Sequence, residues 1–478
     1  MLEIRFLDTI RFMPSSLDTL AGNLSEENFN VLKSQYKNKS DFELLRRKGV
    51  FPYEYLDSVE KLDETSLPPR SKFYSNLTES ECSEEDYAHA IQVWHHFNCR
   101  SLKEYLELYL KTDVLLLTDV FQNFRAICSS IYNLDPAHYY TTPGLSWDAM
   151  LKTTEIELEL LTDIDMITYV KSGIRGGLVQ CSHRHTKANH KYLKNFDPTK
   201  ESEFLMYVDA NNLYGWAMSE PLPYGEFKWL DTNQIKSFNL ENIHENSEYG
   251  YILEVDLDYP YSLHDEHNDL PFCPDNKLPS SSCKTPKLIA DLAEKKNYII
   301  YYKTLKQCMR HGLELKKIHS ILQFRQKAWL KKYIDINTEH RTRAKNNFEK
   351  DFFKLLNNAV YGKTMENSEK RVDVRIITEW DYPVENRKLG RPKLCARDLI
   401  SKSNFHSASR FSETMYAIQM KRLHNICDKP IYLGFVVLEM SKYKMYDFHY
   451  DYMKPKFGKA LKLNYMDTDS FIYSIKTQ

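Results

Sequence analysis

The chain has 478 residues, enough for about three domains, and its 42% hydrophobic content is enough to build buried cores. No apolar run is long enough to cross a bilayer and no secretory signal opens the chain. Nine dispersed cysteines without a CxxC pair indicate reduced thiols in an intracellular setting, without distinguishing nucleus from cytoplasm. The net charge of −1 gives no sign of nucleic-acid binding, but residues 284–350 carry 17 Lys and Arg against 6 Asp and Glu. Such a segment is typical of a phosphate-lined path or of a solvated helical face.

The first third of the chain is predicted to be mostly helical. Residues 5–22 are expected to form a strand, a turn at Pro14 and a short helix, and the acidic residues 58–85 a surface loop. Helical periodicity dominates residues 84–132, and one stripe of that pattern includes Asp113. A carboxylate in such a stripe needs a partner, because an unpaired buried charge is costly.

A linker rich in turn residues places a domain boundary near 135–145. The paired glycines of IRGG (174–177) predict close backbone approach or positive φ. The following segment, CSHRHTKANH (181–190), has cysteine and histidine spacings that match no standard zinc site. A basic, DNA-facing strand or loop is the favoured interpretation, with a metal site as the alternative.

The rest of the chain alternates predicted strands and helices. Residues 203–218 predict a strand that ends at Asp209 and is followed by a turn and a helix. The other predicted elements are a strand at 249–260, mainly helices over 287–335, one long helix at 338–367, an insertion at 368–430 with a loop at 380–394, and a buried helix at 430–453.

Near the end of the chain, residues 461–475 predict a β-hairpin, because apolar and aromatic residues alternate along it. Asp467 and Asp469 at its tip are separated only by Thr468, so they lie on the same side of an extended chain. Two carboxylates so close repel unless a cation lies beside them, and such tips bind hard divalent metals. The alternative is an ordinary turn rich in aspartate.

Three elements in this order suit nucleotidyl transfer. Asp209 ends a strand, Asp467 and Asp469 sit in a hairpin, and the helix between carries Lys354, Asn358, Tyr361 and Gly362 on one face. Two carboxylate-bound Mg²⁺ ions activate the 3′-hydroxyl and stabilise pyrophosphate in this chemistry. A positioned cation such as Lys354 neutralises the triphosphate.

The same three segments resemble motifs of the family B DNA polymerases. DANNLYGW (209–216) resembles motif A, KLLNNAVYG (354–362) motif B, and YMDTDS (465–470) motif C. The departures are Asn212 and Ala359 for the usual serines and Gly215 for the usual proline, and none removes a metal ligand.

The resemblance implies two Mg²⁺ ions, for which Mn²⁺ substitutes. Asp209 and Asp469 would be the ligands, Asp467 would lie beside them near the primer end, and the carbonyl of Ala210 would face a metal. For the nucleotide it implies the following roles: Tyr214 as the steric gate against ribonucleotides, Lys354 on the triphosphate, Asn358 and Tyr361 along the nascent pair, and Arg343 as a second phosphate-binding cation, with Arg341 and Lys345 competing.

Further signatures resemble the protein-primed subgroup of organellar, viral and transposon polymerases. IRGG resembles its YxGG motif, with Ile174 for the tyrosine, which implies DNA contact by Arg175, Gly176 and Gly177. The long intervals between motifs imply two insertions, at about 222–320 and 366–430, that clasp DNA and the priming protein in that subgroup.

The front of the chain resembles the 3′→5′ exonuclease domain of the same family. YLKTD supplies Tyr109 and Asp113 of the third exonuclease motif, KGVF supplies Lys48, and DTIRFMP supplies Thr9, Ile10 and Met13 of a single-strand-binding motif. The first two carboxylate motifs are absent, and so are the thumb and the KxY motif expected after Asp469. We therefore expect a chain truncated at both ends, without exonuclease activity.

The predicted fold is α+β (mixed α/β). Residues 1–135 would be a partial RNase H-like exonuclease domain with an exposed sheet edge, 136–202 a linker with the YxGG-like region, and 203–478 a polymerase palm, an antiparallel sheet with helices, with short helical fingers. The predicted function is a DNA-directed DNA polymerase acting on primer-template DNA and dNTPs, without membrane association. The alternative is a catalytically incompetent DNA-binding remnant. A two-metal nuclease is disfavoured, because motif B has no use in hydrolysis.

Overall fold

The structure, a computed structural model, describes residues 5–244, 247–381 and 395–477. The chain divides into two compact units, one formed by residues 1–155 and 333–360 and the other by residues 156–332 and 361–478. The predicted domains remain predictions, because these units reflect compactness alone. The predicted loop at 380–394 falls, beyond Asp381, outside the described residues.

The first unit is built around one long helix. Its apolar stripe, including Tyr105, Tyr109 and Leu116, is buried as predicted. The predicted strand within 5–22 is wrong, because the Asp8 side chain accepts a hydrogen bond from the backbone N–H of Ile10 and starts a 3₁₀ turn instead. No β-strand lies in the described part of residues 5–155, so the expected exposed sheet edge there is also wrong. The helices are α1 (Leu17–Gly22), α2 (Asn30–Gln35), α3 (Lys39–Leu45), α4 (Glu84–His96), α5 (Leu102–Tyr132) and α6 (Thr142–Thr154).

Residues 156–332 contain most of the strands. The prediction of mainly helices over 287–335 is wrong, since strands hold more of its residues than helices do. The elements are α7 (Ile164–Gly173), β1 (Val179–Cys181), β2 (Ser202–Asp209), α8 (Leu213–Ser219), β3 (Leu222–Trp229), α9 (Thr232–Ser237), β4 (Tyr249–Asp258), α10 (His264–His267), β5 (Asp275–Lys277), β6 (Lys287–Ile289), β7 (Lys295–Tyr301), α11 (Tyr302–Arg310) and β8 (Glu314–Lys327).

The predicted single helix at 338–367 is two helices, α12 (Lys331–Arg343) and α13 (Asn347–Thr364). Asn346 Oδ1 accepts a hydrogen bond from the backbone N–H of Glu349 at 2.8 Å, while Glu349 accepts one from the N–H of Lys345 at 2.9 Å. This reciprocal capping starts a new helix at that point. Asn346 followed three residues later by Glu349 is the sequence signal that the helical periodicity concealed.

The remaining elements complete the second unit. The described part of residues 366–430 contains a small sheet and a helix, and the predicted terminal hairpin is confirmed. The elements are β9 (Asp373–Ile377), α14 (Ala396–Ile400), β10 (Phe405–Ser412), β11 (Met415–Met420), α15 (Ile431–Tyr446), a π-helical extension (Asp447–Met453), α16 (Lys454–Phe457), β12 (Leu461–Asp467) and β13 (Ser470–Thr477).

The strands of the second unit form antiparallel sheets. One has the order β1-β12-β13-β2, another β3-β8-β4-β7, a third β10-β11-β9, and β5 pairs with β6. A mixed α/β fold with antiparallel sheets is therefore confirmed.

Helix α15 is the centre of the second unit's core. Thirteen of its sixteen residues are buried, as is typical of a helix that is apolar all round. It packs against α7, α8, α11, β3 and β7. Its contact with α8 fixes the segment that directly follows the end of β2. Among the described residues no helix is both long and apolar enough to span a bilayer.

Candidate functional site

Three predicted site carboxylates lie at one end of the sheet β1-β12-β13-β2. Asp209 at the end of β2 is the cross-strand partner of Ser470, and Ser470 is in turn the partner of Asp467 at the end of β12. Directly paired residues point to the same face of a sheet, so Asp209 and Asp467 flank Ser470 on one face. With strands about 4.8 Å apart, their backbones are roughly 10 Å apart. The buried Ser470 between them is small, which leaves room for two longer side chains.

The hairpin turn is fixed by backbone hydrogen bonds to two neighbouring segments. The N–H of Ala210 donates to the carbonyl of Asp469 at 2.8 Å, and the N–H of Thr468 donates to the carbonyl of Leu178 at 2.9 Å. Thr468 has a φ of +53°, which is unusual for a β-branched residue. The tip therefore holds a strained conformation between the end of β2 and the start of β1.

The carboxylates accept hydrogen bonds from neutral hydroxyls. The Tyr207 hydroxyl donates to Asp209 Oδ2 at 3.0 Å, and the Thr468 hydroxyl donates to Asp467 Oδ1 at 3.3 Å. Both aspartates are exposed, and neither forms an ion pair with a described Lys, Arg or His. An all-oxygen donor set suits Mg²⁺ or Mn²⁺. Within the described residues no three His, Cys, Asp or Glu side chains surround one point, so the metal site remains a prediction.

Two predicted nucleotide-site tyrosines lie together in this unit. The rings of Tyr214 on α8 and Tyr361 on α13 stack, with centroids 4.5 Å apart and planes 17° apart. Burial raises the pKa of the Tyr214 hydroxyl, and the nearby Asp469 carboxylate raises it further. Burial also raises the pKa of Tyr361. One residue from each of the three motif segments therefore meets here: Tyr214, Tyr361 and Asp469.

The two departures in the motif A segment pack against each other. Asn212 has a φ of +61°, and its side chain lies over Gly215. A Cβ on Gly215 would lie 2.0 Å from Asn212 Nδ2, so a larger residue there would displace the Asn212 side chain. The asparagine and the glycine therefore fit each other in the first turn of α8, which carries Tyr214.

The other predicted nucleotide-site residues belong to the first unit. Lys354 is exposed and Asn358 half-buried on α13, with the helical spacing that was predicted. Arg343 is exposed at the end of α12 and pairs with Glu339 at 2.6 Å. Arg343 and Lys354 do not share one continuous helix, because α12 ends at Arg343 and α13 begins at Asn347.

The glycine-containing segment 174–177 has one buried and one exposed side. Arg175 is buried, its Nε donates to Asp275 at 3.0 Å, and its guanidinium lies 3.7 Å from the centre of the Tyr298 ring. Burial tends to lower the pKa of this guanidinium, but Tyr298 and the acidic groups raise it above its usual value. The Arg175 guanidinium is thus occupied by partners within the protein. Contact of residues 174–177 with DNA remains a prediction. Gly176 is exposed, whereas Gly177 lies against Thr468 of the hairpin.

The histidine-rich segment after β1 forms no metal cluster among the described side chains. Cys181 is exposed at the end of β1, and His183 lies 3.4 Å from the Asp269 carboxylate. His190 stacks on Phe204 with centroids 4.6 Å apart, while His185 is exposed. This segment is part of a loop that joins β1 to β2.

The predicted exonuclease residues of the first unit also meet. Lys48 Nζ donates to the Tyr109 hydroxyl and to Asp113 Oδ2, both at 2.6 Å, and the Tyr53 hydroxyl donates to that of Tyr109 at 2.9 Å. Burial, with a further contribution from Asp113, raises the pKa of Tyr109 to about 12. Asp113 therefore has the partner that its place in the helical stripe required.

The predicted single-strand-binding residues form a short 3₁₀ segment. Thr9 opens it, Ile10 is 56% exposed, and Met13 is buried. An exposed isoleucine is available to a ligand, whereas Met13 serves the core.

From the sequence, Thr468 was considered only as the residue that separates Asp467 from Asp469, and no role of its own was predicted for it. Its side chain contacts Gly177 and its N–H bonds the same segment. Two features of the sequence could have indicated this role. One is a β-branched residue in a tight turn, and the other is a glycine pair for which no packing partner was assigned.

Comparisons with known proteins give the family. The family described as DNA polymerase type B, organellar and viral, matches residues 1–455. Phi29 DNA polymerase with primer-template DNA and incoming nucleotides is similar at 15% identity and a TM-score of 0.49, covering 98% of this chain and 61% of that one. Phi29 DNA polymerase with single-stranded DNA is similar at 15% identity and a TM-score of 0.45, covering 98% and 60%. No curated protein matches.

The chain thus spans about three fifths of the phi29 polymerase chains that it resembles. The match to the family covers nearly all of the chain and stops shortly before the DTD hairpin. The chain belongs to the family B DNA polymerases of the organellar and viral type.

Proposed function

We propose that this chain carries the catalytic centre of a DNA-directed DNA polymerase, which adds dNTPs to a primer 3′-hydroxyl by two-metal-ion nucleotidyl transfer. The observation that carries the proposal is the row Asp209, Ser470 and Asp467 on one face of the sheet, with Asp469 at the adjoining turn. Asp209 and Asp467 are exposed at strand ends without a neutralising side chain among the described residues, and Asp469 is half-buried. Such an arrangement attracts a divalent cation.

The acidic residues fit the metals that the family implies. Asp209 and Asp469 would hold two Mg²⁺ or Mn²⁺ ions, with Asp467 beside them and the Ala210 carbonyl as a further oxygen ligand. When bound, the ions lower the pKa of the 3′-hydroxyl and stabilise the charge on the leaving pyrophosphate. The hydrogen bond from Tyr207 to Asp209 orients that carboxylate.

The remaining residues bind and select the nucleotide. Tyr214 is held by its stack on Tyr361 and by the Asn212–Gly215 contact, so that its bulk excludes a 2′-hydroxyl. Lys354 and Asn358 extend from the same helix as Tyr361. Lys354 would neutralise triphosphate oxygens.

The partners of this proposed enzyme are primer-template DNA, dNTPs and a terminal priming protein. The first proposed insertion, at about 222–320, contains β3 to β7 and the first half of β8. The second, at about 366–430, contains the sheet β10-β11-β9. We assign both to the clasping of DNA and the priming protein, by analogy with the subgroup.

The alternative is a DNA-binding remnant that cannot extend a primer. A single-nucleotide extension assay with Mg²⁺ or Mn²⁺ on a short primer-template separates the two. We expect incorporation by the parent chain and none by Asp209→Ala. Asp265→Ala, which removes an exposed carboxylate elsewhere in the same unit, is the matched control. DNA binding without any metal-dependent incorporation by the parent would favour the remnant.

A further inference from the structure

A loop of the second unit presents several exposed positive charges that form no ion pair within the described residues. This loop, residues 182–201, joins β1 to β2 and is here called the basic loop. It carries five Lys and Arg against two Asp and Glu. Lys200 pairs with Asp197, and Glu201 pairs with Lys476. Arg184, Lys187, Lys191 and Lys194 are exposed and form no ion pair with any carboxylate in the described ranges.

Residues 284–350, for which either a phosphate-lined path or a solvated helical face was predicted, differ from the basic loop. At least seven of the basic residues within 284–350 form ion pairs. They are Lys295, Lys296, Lys303, Arg310, Lys316, Arg325 and Arg343. A cation already paired within the protein gains less from a phosphate, because the carboxylate must be left behind. The basic loop, in contrast, leaves four of its five Lys and Arg outside any ion pair with a described carboxylate.

The basic loop is held against β2 rather than hanging free. The backbones of Asn189 and Glu203 exchange two hydrogen bonds of 2.7 and 2.9 Å, and the Asn189 side chain bonds the backbone of Asp197 in both directions. His190 stacks on Phe204 of β2. Beside this anchor, Tyr192 is 76% exposed. A fixed row of cations with an exposed aromatic ring is typical of a nucleic-acid surface.

We propose that the basic loop binds the phosphate backbone of the primer-template duplex, a proposal that rests on the proposed polymerase function. The loop meets β2 at Ser202, seven residues before Asp209. At about 3.3 Å per residue, this is roughly 23 Å from the carboxylates. A duplex lying along the sheet advances 3.4 Å per base pair, so the contact falls about seven base pairs behind the primer end.

The test uses hairpin DNAs with a 5-base-pair or a 15-base-pair stem and the triple variant Lys187→Gln/Lys191→Gln/Lys194→Gln. We expect the variant to lose about tenfold in affinity for the long stem and less than about twofold for the short one. The dependence of log K on log salt should fall by about 0.9 for each lost contact. The control, Lys72→Gln/Lys103→Gln/Lys152→Gln, makes the same charge change in the first unit and should bind both stems as the parent does.

Equal losses for the two triple variants would overturn the proposal, because they would reflect overall charge. An unchanged affinity of the loop variant for the long stem would also overturn it, and would point to an acidic protein partner instead. Either result leaves the polymerase function intact if the parent extends primers. A parent chain that binds neither stem would overturn both.

A second inference rests on a different observation, the contact between Gly177 and the hairpin tip. A Cβ on Gly177 would lie 2.4 Å from Thr468 Oγ1 and 2.7 Å from its Cγ2. The neighbouring Gly176 has nothing within 4 Å of the same position. Packing therefore requires only Gly177 to be a glycine. The side chain in the space of its absent Cβ is that of Thr468, which lies between the two motif C aspartates.

We infer that Gly177 is a positioning residue for the acidic tip. The Thr468 side chain lies in the space that the missing Cβ leaves, while its N–H bonds the carbonyl of Leu178. Together these contacts hold Thr468 at its positive φ and so fix the directions of Asp467 and Asp469. Displacing reacting groups by about 1 Å can cost 100-fold in rate.

The test is Gly177→Ala against Gly176→Ala. We expect the first to lower kcat for incorporation by about 10- to 100-fold with little change in the KM for dNTP, and the second to resemble the parent. Thr468→Gly removes the colliding side chain and suits a positive φ. The double variant Gly177→Ala/Thr468→Gly should therefore recover most of the activity that Gly177→Ala loses.

Amide hydrogen exchange at Thr468 gives a readout that needs no activity. Its exchange should be faster in Gly177→Ala than in Gly176→Ala or the parent, because the bond to Leu178 is loosened. Unchanged exchange, or a loss of kcat that Thr468→Gly does not relieve, would overturn the positioning role. If exchange is faster in Gly177→Ala but the parent chain extends no primer, the positioning role stands and the polymerase function is in question.

Discussion

The acidic tip of the second unit and the Lys48–Tyr109–Asp113 cluster of the first unit use carboxylates in opposite ways. Asp113 gives one oxygen to Lys48 at 2.6 Å, so its charge is neutralised inside the protein. Asp209 and Asp467 are exposed and accept hydrogen bonds from neutral hydroxyls. A carboxylate paired with lysine attracts an external cation weakly, whereas exposed carboxylates gathered at strand ends attract one strongly. The charge partner therefore separates the proposed cation-binding site from a self-contained ion pair.

The largest expected effect tests the acidic side of this comparison. Asp209→Ala or Asp469→Ala should lower incorporation by about 1,000-fold or more, since each removes charge that the transition state needs. Single-nucleotide extension measures the loss, and thermal unfolding should show a fold close to that of the parent. Asp467→Ala should be severe as well. Asp265→Ala is the control. Extension close to that of the parent by Asp209→Ala or Asp469→Ala would contradict the assignment of these residues as metal ligands.

A smaller effect is expected from the tyrosine stack beside the tip. Tyr214→Val should raise the ratio of kcat/KM for rNTP over dNTP by roughly tenfold or more, because the bulk that excludes the 2′-hydroxyl is removed. Tyr214→Phe keeps the ring and should keep the selectivity. If Tyr214 were only a core residue, valine would lower activity and stability while the ratio stayed the same.

The ion pair of the first unit should appear in stability rather than in catalysis. Lys48→Met leaves the partly buried Asp113 carboxylate without its cation and should lower the free energy of unfolding by about 1–3 kcal/mol. Chemical denaturation measures this. Lys103→Met, at an exposed position of α5, is the matched control and should cost much less. Equal unfolding free energies for the two variants would show that the pair contributes nothing.

Finally, we expect the chain to show no exonuclease activity, with or without the Asp113 carboxylate. One lysine-paired carboxylate cannot hold two metal ions in the geometry that activates water. Purified chain should therefore leave a labelled single strand intact with Mg²⁺ or Mn²⁺, and Asp113→Ala should behave identically. Metal-dependent shortening that Asp113→Ala abolishes would break the comparison and show that further carboxylates complete that site.

The local pattern alone predicted the elements whose residues match their environment. The stripe of α5 and the alternating hairpin repeat with the period of their elements, and the mostly apolar α15 is long enough to indicate a buried helix. The order of the three motif segments identified the family.

Other elements adopt a conformation that their residues do not favour locally, and long-range contacts explain it. The strand β8, rich in Lys, Leu and Gln, has a composition typical of a helix, yet its hydrogen bonds to β3 and β4 on both sides hold it extended. The contacts of Asn212 with Gly215 and of Thr468 with Gly177 were equally hidden. A glycine is required where another atom occupies the space that its Cβ would fill. For Gly177 that atom belongs to Thr468, which is distant in the chain, so only long-range packing reveals the requirement.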